Sequence, residues 1–187
     1  MKRLVIITVG KTHSGKTTFA NALEKRLNNS FVMDQDNHAE FINTYYKNLQ
    51  PKQGPNTLKH SLSKLIVNYD KEYTDFHFII CNSNRSRKGR LYLLEELFNT
   101  DEFVRILVHF DIPDDVLQER VTYSQRSKNI FRSASNFEEV LVRQQAESFN
   151  EDVVDPIEAE GNHLFVIKDN EEVHLVIQKI VHIAESY

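Results

Sequence analysis

Residues 10–17 read Gly10-Lys11-Thr12-His13-Ser14-Gly15-Lys16-Thr17. They meet the pattern G-x-x-x-x-G-K-[ST] at every fixed position. An apolar run, residues 4–9, comes before them, and residues 15–27 read as an amphipathic helix. Such a loop has to pass from a strand straight into a helix. Its glycines let the backbone wrap tightly, so that N–H groups and the helix N-terminus form an anion nest. Lys16 would reach the β/γ-phosphates of a nucleotide as a point charge, and the Thr17 hydroxyl would serve Mg²⁺. The candidate nucleotide contacts are therefore residues 10–17 together with Thr18. His13 reads as a space-filling residue rather than a chemical one.

Short apolar runs alternate with longer amphipathic stretches along the rest of the chain. Strands are expected at residues 4–9, 31–33, 76–81, 103–110 and 164–167. Helices are expected at 15–27, 37–49, 88–98, 137–146 and 171–184, with a further helix opened by Pro113 and capped by Asp111. Leu58, Leu62, Leu65, Ile66 and Tyr69 fall on one helical face. Strand and helix alternating five times predicts an α/β fold, a three-layer arrangement with a five-stranded, mainly parallel sheet. Strands apolar on both sides suit helices on both faces. Right-handed crossovers then bring every carboxyl end to one edge, where ligands bind. That edge would collect residues 10–17, 34–38, 82–87, Asp111 and 168–170.

The chain has 187 residues, a net charge of −4 and one cysteine, Cys81. This length suits a single domain spanning residues 1–187. One cysteine excludes an internal disulfide and fits a reducing, cytoplasmic setting. No apolar run approaches the roughly 20 residues of a membrane span, and no signal peptide is expected. The acidic balance argues against a general nucleic-acid binder. Eight scattered histidines show no metal-ligand spacing, and Cys81, ending an apolar run, reads as core. Tyr45 and Tyr46 suit either base stacking or the core. Residues 151–160 read as a solvated acidic loop.

The third expected strand ends at Asn82, where a motor or signalling NTPase would carry a magnesium-binding Asp. Acids instead follow the second strand, in Asp34-Gln35-Asp36-Asn37-His38. Asp34 and Asp36 are two apart and share a side in extended chain. Two islands hold cations and no acid: Arg85, Arg87, Lys88 and Arg90, then Arg120, Arg126, Lys128 and Arg132. Phosphoryl transfer needs a base near the acceptor hydroxyl and cations around the transferred group. Asp36 is the expected base, with Asp34 as the alternative or as the residue that orients Lys16 or magnesium-bound water. Arg126 is the expected cation of a lid over about residues 121–135, since long polar loops often close over sites. Asp34, His38, Asn82, Asn84 and Arg85 are the candidate acceptor contacts.

Phosphate loop, D-x-D segment, third-strand loop and late arginine segment occur in the order found in small P-loop kinases. Residues 34–38 resemble the segment after strand two in gluconate-kinase-like, polynucleotide-kinase-like and zeta-toxin-like enzymes. There an Asp takes the acceptor proton, and Asp36 matches it by position. Residues 111–121 resemble the helix leading into the lid of nucleoside-monophosphate-kinase-like proteins. That resemblance implies that Arg120 lies near the adenine and that a later Arg reaches the phosphates. The family implies ATP and Mg²⁺ as cofactors and a small-molecule or nucleotide acceptor. The leading expectation is an ATP-dependent kinase acting on a hydroxyl or phosphate of a small metabolite, nucleoside or nucleotide. The alternatives are a nucleotide-binding regulatory or interaction ATPase and a 5'-hydroxyl polynucleotide kinase.

Overall fold

The computed structural model describes residues 2–187. Five strands, β1 (Arg3–Val9), β2 (Ser30–Asp34), β3 (His77–Cys81), β4 (Phe103–Phe110) and β5 (His163–Ile167), form one sheet in the order β2-β3-β1-β4-β5. Every pairing is parallel. Central strand β1 explains the layering. Leu4 and Ile6 point to one face, and Val5 and Ile7 to the other, and all four are fully buried. Period-two chemistry that is apolar on both sides must be covered twice.

Helices α1 (Lys16–Glu24) and α7 (Glu172–Glu185) cover the Leu4 and Ile6 face through Phe19, Leu23, Ile177 and Ile180. The other face takes Val67 from α3 (Thr57–Tyr73) and Leu94 and Phe98 from the segment after α4 (Arg87–Leu91). Helices α2 (Gln35–Tyr45), α5 (Asp114–Thr122) and α6 (Phe137–Glu147) gather at the carboxyl edge.

Several local expectations are corrected. The expected helix at 88–98 is α helix only to Leu91 and then widens into a π turn, Tyr92–Leu97. Helix α3 is rotated from its apolar stripe: Ser63, Val67 and Asp70 are buried, while Leu65 and Tyr69 are exposed. Polar burial is tolerated there because Asp70 pairs with Arg3 at 3.0 Å and Ser63 bonds His38 at 2.9 Å. Pro113 is the cap of α5 rather than its first residue, and Asp111 does not cap it. Tyr45 and Tyr46 are exposed and stand against each other and Phe41 rather than in the core.

The acidic stretch after α6 is not wholly solvated. Glu160 is buried and takes both Nε and Nη2 of fully buried Arg90, at 2.7 and 2.9 Å. Asp152 accepts from the Ser86 hydroxyl and the Lys88 N–H. Arg90 therefore fixes a strap under the sheet edge and is not part of an open basic face.

Candidate active site

Gly10 takes φ 153°, and a Cβ there would lie 2.9 Å from Ser14 Oγ and 3.0 Å from Phe110 Cβ. Gly15, at φ 102°, caps α1. Both positions need glycine, one for space and the other for a left-handed turn. The Gly10 N–H donates to Ser83 O at 2.9 Å, tying the loop to the end of β3. Lys16 Nζ folds back to donate to Lys11 O and to Ser14 Oγ. Burial pushes its pKa down to about 8, and the nearby Asp36 and Asp34 carboxylates oppose the shift. His13 sits edge-on to Phe137 and bonds Ser124 Oγ at 2.7 Å. Burial, with Arg126, Lys16 and Arg120 close by, holds it down to about 4, so it is a neutral spacer at physiological pH. The Thr12 N–H donates to Gln144 Oε1 of α6 at 2.6 Å.

Asp34 ends β2 and caps α2, accepting the Asp36 N–H at 2.8 Å with one oxygen. Its other oxygen accepts from Thr17 Oγ1 at 3.2 Å. Asp36, in the first turn of α2, faces Arg126 at 2.7 Å. The Arg126 guanidinium lies 5.0 Å over the Phe137 ring. The chain around Arg126 is laid along α2. Ser127 Oγ donates to Glu40, Asn129 Nδ2 to Thr44, and Asn43 Nδ2 to Phe131 O. Between these walls lies a cavity of about 780 Å³ lined by Thr12 to Phe19, Asp34, Asp36 and Arg126.

Residues 5–151 match a family model described as an AAA domain. The chain belongs to this AAA-domain family. No curated protein sequence matches it. Solved structures of P-loop kinases share its fold. A putative kinase from Chloroflexus aurantiacus is 16% identical with a TM-score of 0.65, over 96% of this chain and 97% of that one. The APS kinase CysC of Mycobacterium tuberculosis, in complex with AMPPNP and APS, is 13% identical with a TM-score of 0.59, over 98% of each chain. Kti12 of Chaetomium thermophilum, in complex with ADP-AlF3, is 15% identical with a TM-score of 0.59, over 94% and 96%.

In this AAA-domain chain the cavity gathers Thr12, His13, Ser14, Gly15, Lys16, Thr17, Thr18, Asp34, Asp36, Asn82, Arg120 and Arg126 from the expected set. Arg120 donates to His13 O and Asn170 Oδ1, both at 3.2 Å, bridging the loop and the segment after β5. The other expected residues lie elsewhere. Lys11 donates to Asp114 at 2.6 Å and, with Gly10 and Arg85, lines a second cavity of about 440 Å³ behind the loop. Arg85 is spent on Gln144 O and Ser148 Oγ at 2.8 and 2.5 Å. Asn84, at φ 45°, donates to Thr8 O and holds the backbone. His38 is bonded to Ser63 on the α3 side, where burial lowers its pKa. Lys59, Arg143 and Gln144 also line the main cavity; no local sequence pattern marks them, because α3 and α6 reach the edge only in the folded chain.

Thr17 Oγ1 and Asp34 Oδ2, 3.2 Å apart, are a hydroxyl and a carboxylate beside the anion nest. Mg²⁺ is usually bound through one or two protein oxygens plus phosphate and water, so this pair fits a magnesium nucleotide. Among the described residues no group of three or more His, Cys, Asp or Glu could hold a metal by itself.

Proposed function

We propose that the chain is an ATP-dependent phosphotransferase. It moves the γ-phosphoryl group of ATP to a hydroxyl or phosphate of a small metabolite, nucleoside or nucleotide. The observation that carries this reading is the Asp36–Arg126 pair standing across one cavity from the phosphate loop. A simple nucleotide sensor needs neither group. Segment 121–135 acts as a lid within a single domain, and the protein works in the cytoplasm.

Lys16 and the loop N–H groups hold the β- and γ-phosphates. Thr17 and Asp34 would hold Mg²⁺, which would offset charge on those phosphates. Asp36 orients the acceptor hydroxyl and takes its proton as the new O–P bond forms and the bond to the ADP oxygen breaks. Arg126 swings from Asp36 toward the transferring group and stabilises its charge. With a phosphate acceptor no proton is removed, and Asp36 only positions it.

The test is ADP formation across a panel of acceptors. Asp36→Asn keeps the shape and should bind ATP normally while transfer falls roughly 10²–10⁴-fold. Near-normal transfer by Asp36→Asn, with Asp34→Asn inactive, moves the base to Asp34. Near-normal transfer by both removes the carboxylate mechanism. ADP formed at one rate with every acceptor and with none favours a regulatory ATPase, the reading to which the likeness to Kti12 lends itself.

A further inference from the structure

Six cations, Lys16, Lys59, Arg120, Arg126, Arg132 and Arg143, line the main cavity, against two carboxylates, Asp34 and Asp36. Among the described residues only Arg126 and Arg143 of the six form ion pairs. A magnesium nucleotide would use part of this surplus, since the metal cancels about half of the triphosphate charge. The remainder is not spread evenly. Lys59 is the third residue of α3, its N–H accepted by Asn56 Oδ1 at 3.3 Å. Arg132 crosses from the lid segment and donates to Pro51 O and Gly54 O at 3.3 and 2.7 Å. Those partners are carbonyls, so its charge is not neutralised.

Lys59 and Lys16 line the same cavity from different elements, α3 and α1. Asp34 and Asp36 act on both ammonium groups, Arg126 on Lys16 and Arg132 on Lys59. Burial lowers the Lys59 pKa, the mark of an ammonium drawn away from water. Keeping such a charge without an ion-pair partner is costly. Lys59 stands on the wall made by α3, which packs against α2 through His38 and Ser63 at 2.9 Å, and α2 carries Asp36, the proposed acceptor base.

We propose that Lys59, with Arg132 and Asn56 beside it, is an oxyanion subsite for the acceptor, so that the molecule phosphorylated here carries its own phosphate or carboxylate group. This rests on the phosphotransferase reading above. The acceptor's anion docks on the Lys59 side and its hydroxyl is thereby turned to Asp36. Neutral polyols and nucleosides lack the group that Lys59 holds.

The first experiment titrates inorganic phosphate into protein loaded with Mg²⁺ and a non-hydrolysable ATP analogue, followed by calorimetry. Phosphate should bind the loaded wild type, bind at least about tenfold more weakly to Lys59→Met, and recover in Lys59→Arg. Lys64→Met, an exposed lysine on the same helix, should behave as wild type. Failure of phosphate to bind the loaded wild type, or equal binding by Lys59→Met, overturns the subsite. The second experiment compares ADP formation with paired acceptors: a nucleoside and its monophosphate, a polyol and its carboxylic acid, a polyol and its phosphate ester. Turnover confined to the phosphate esters or to the acids identifies the anion, with KM raised at least about tenfold in Lys59→Met. Preference for neutral acceptors, with KM unchanged in Lys59→Met, overturns the subsite. Lys59-dependent phosphate binding with no acceptor-dependent ADP upholds the subsite and overturns the phosphotransferase reading instead.

Discussion

Lys16 is held near a pKa of about 8 by burial, against an ordinary lysine at 10.5. The folded value lies below the unfolded one, so between the two the unfolded chain binds more protons. Stability contributed by this group therefore rises as pH increases through that window, and at neutral pH the ammonium is a cost to folding. A bound triphosphate reverses the balance by giving the ammonium its counter-charge. Nucleotide binding near about pH 8.5 should therefore take up a proton, and Lys16→Ala should weaken binding and abolish the uptake. Calorimetry in two buffers of different ionisation enthalpy reads this directly; uptake that persists in Lys16→Ala assigns the proton to another group. Cys81 is the opposite case. Burial pushes its thiol up to about 12, so it stays protonated beside Thr17, as its place at the end of an apolar strand suggested.

At the scale of elements, segment 121–135 is bonded along α2, and the strap after α6 is bonded to the start of α4. Arg126 of segment 121–135 is stacked over Phe137 and paired with Asp36. In the proposed mechanism Arg126 stabilises transition-state charge, so Arg126→Ala should lower the transfer rate more than it weakens ATP binding. An unchanged rate, with Arg120 or Arg132 variants inactive, moves that role to Arg120 of α5 or to Arg132. The strap depends on Arg90 and Glu160, both buried and joined by two hydrogen bonds. Glu160→Ala strands a buried guanidinium and should cost about 3–5 kcal/mol in urea unfolding. Arg90→Met combined with Glu160→Leu should recover most of that loss, since the desolvation cost disappears with the pair. The same strap carries the end of α6, whose Gln144 accepts from the Thr12 N–H. The phosphate loop is thus braced by an element more than 120 positions away in the chain.

For the molecule as a whole, a net charge of −4 coexists with a cavity lined by six cations and two carboxylates. The cations come from α1, α3, α5, α6 and segment 121–135, and only the parallel sheet brings these to one edge. The strand pattern, the phosphate loop and the Asp34-Gln35-Asp36 segment were legible in the sequence because their signals are local. Strands follow from short apolar runs, the loop from fixed glycine and lysine spacing, and the acids from their position after a strand. Which cations face the cavity was not legible, since a charged residue reads the same on a solvated face, in a buried pair or at a site. Arg90, Arg85 and Lys59 went three different ways. Arg90 went to a buried partner and Arg85 to carbonyl and hydroxyl groups of α6. Lys59, from a helix whose apolar stripe pointed elsewhere, turned inward because burying Ser63 and Asp70 rotated α3. The sequence by itself determined the three-layer fold and the phosphate-loop wall of the cavity, where covalent spacing sets the geometry. Only the tertiary structure decided the walls built by α3 and α6, because the rotation of those helices depends on partners distant in the chain.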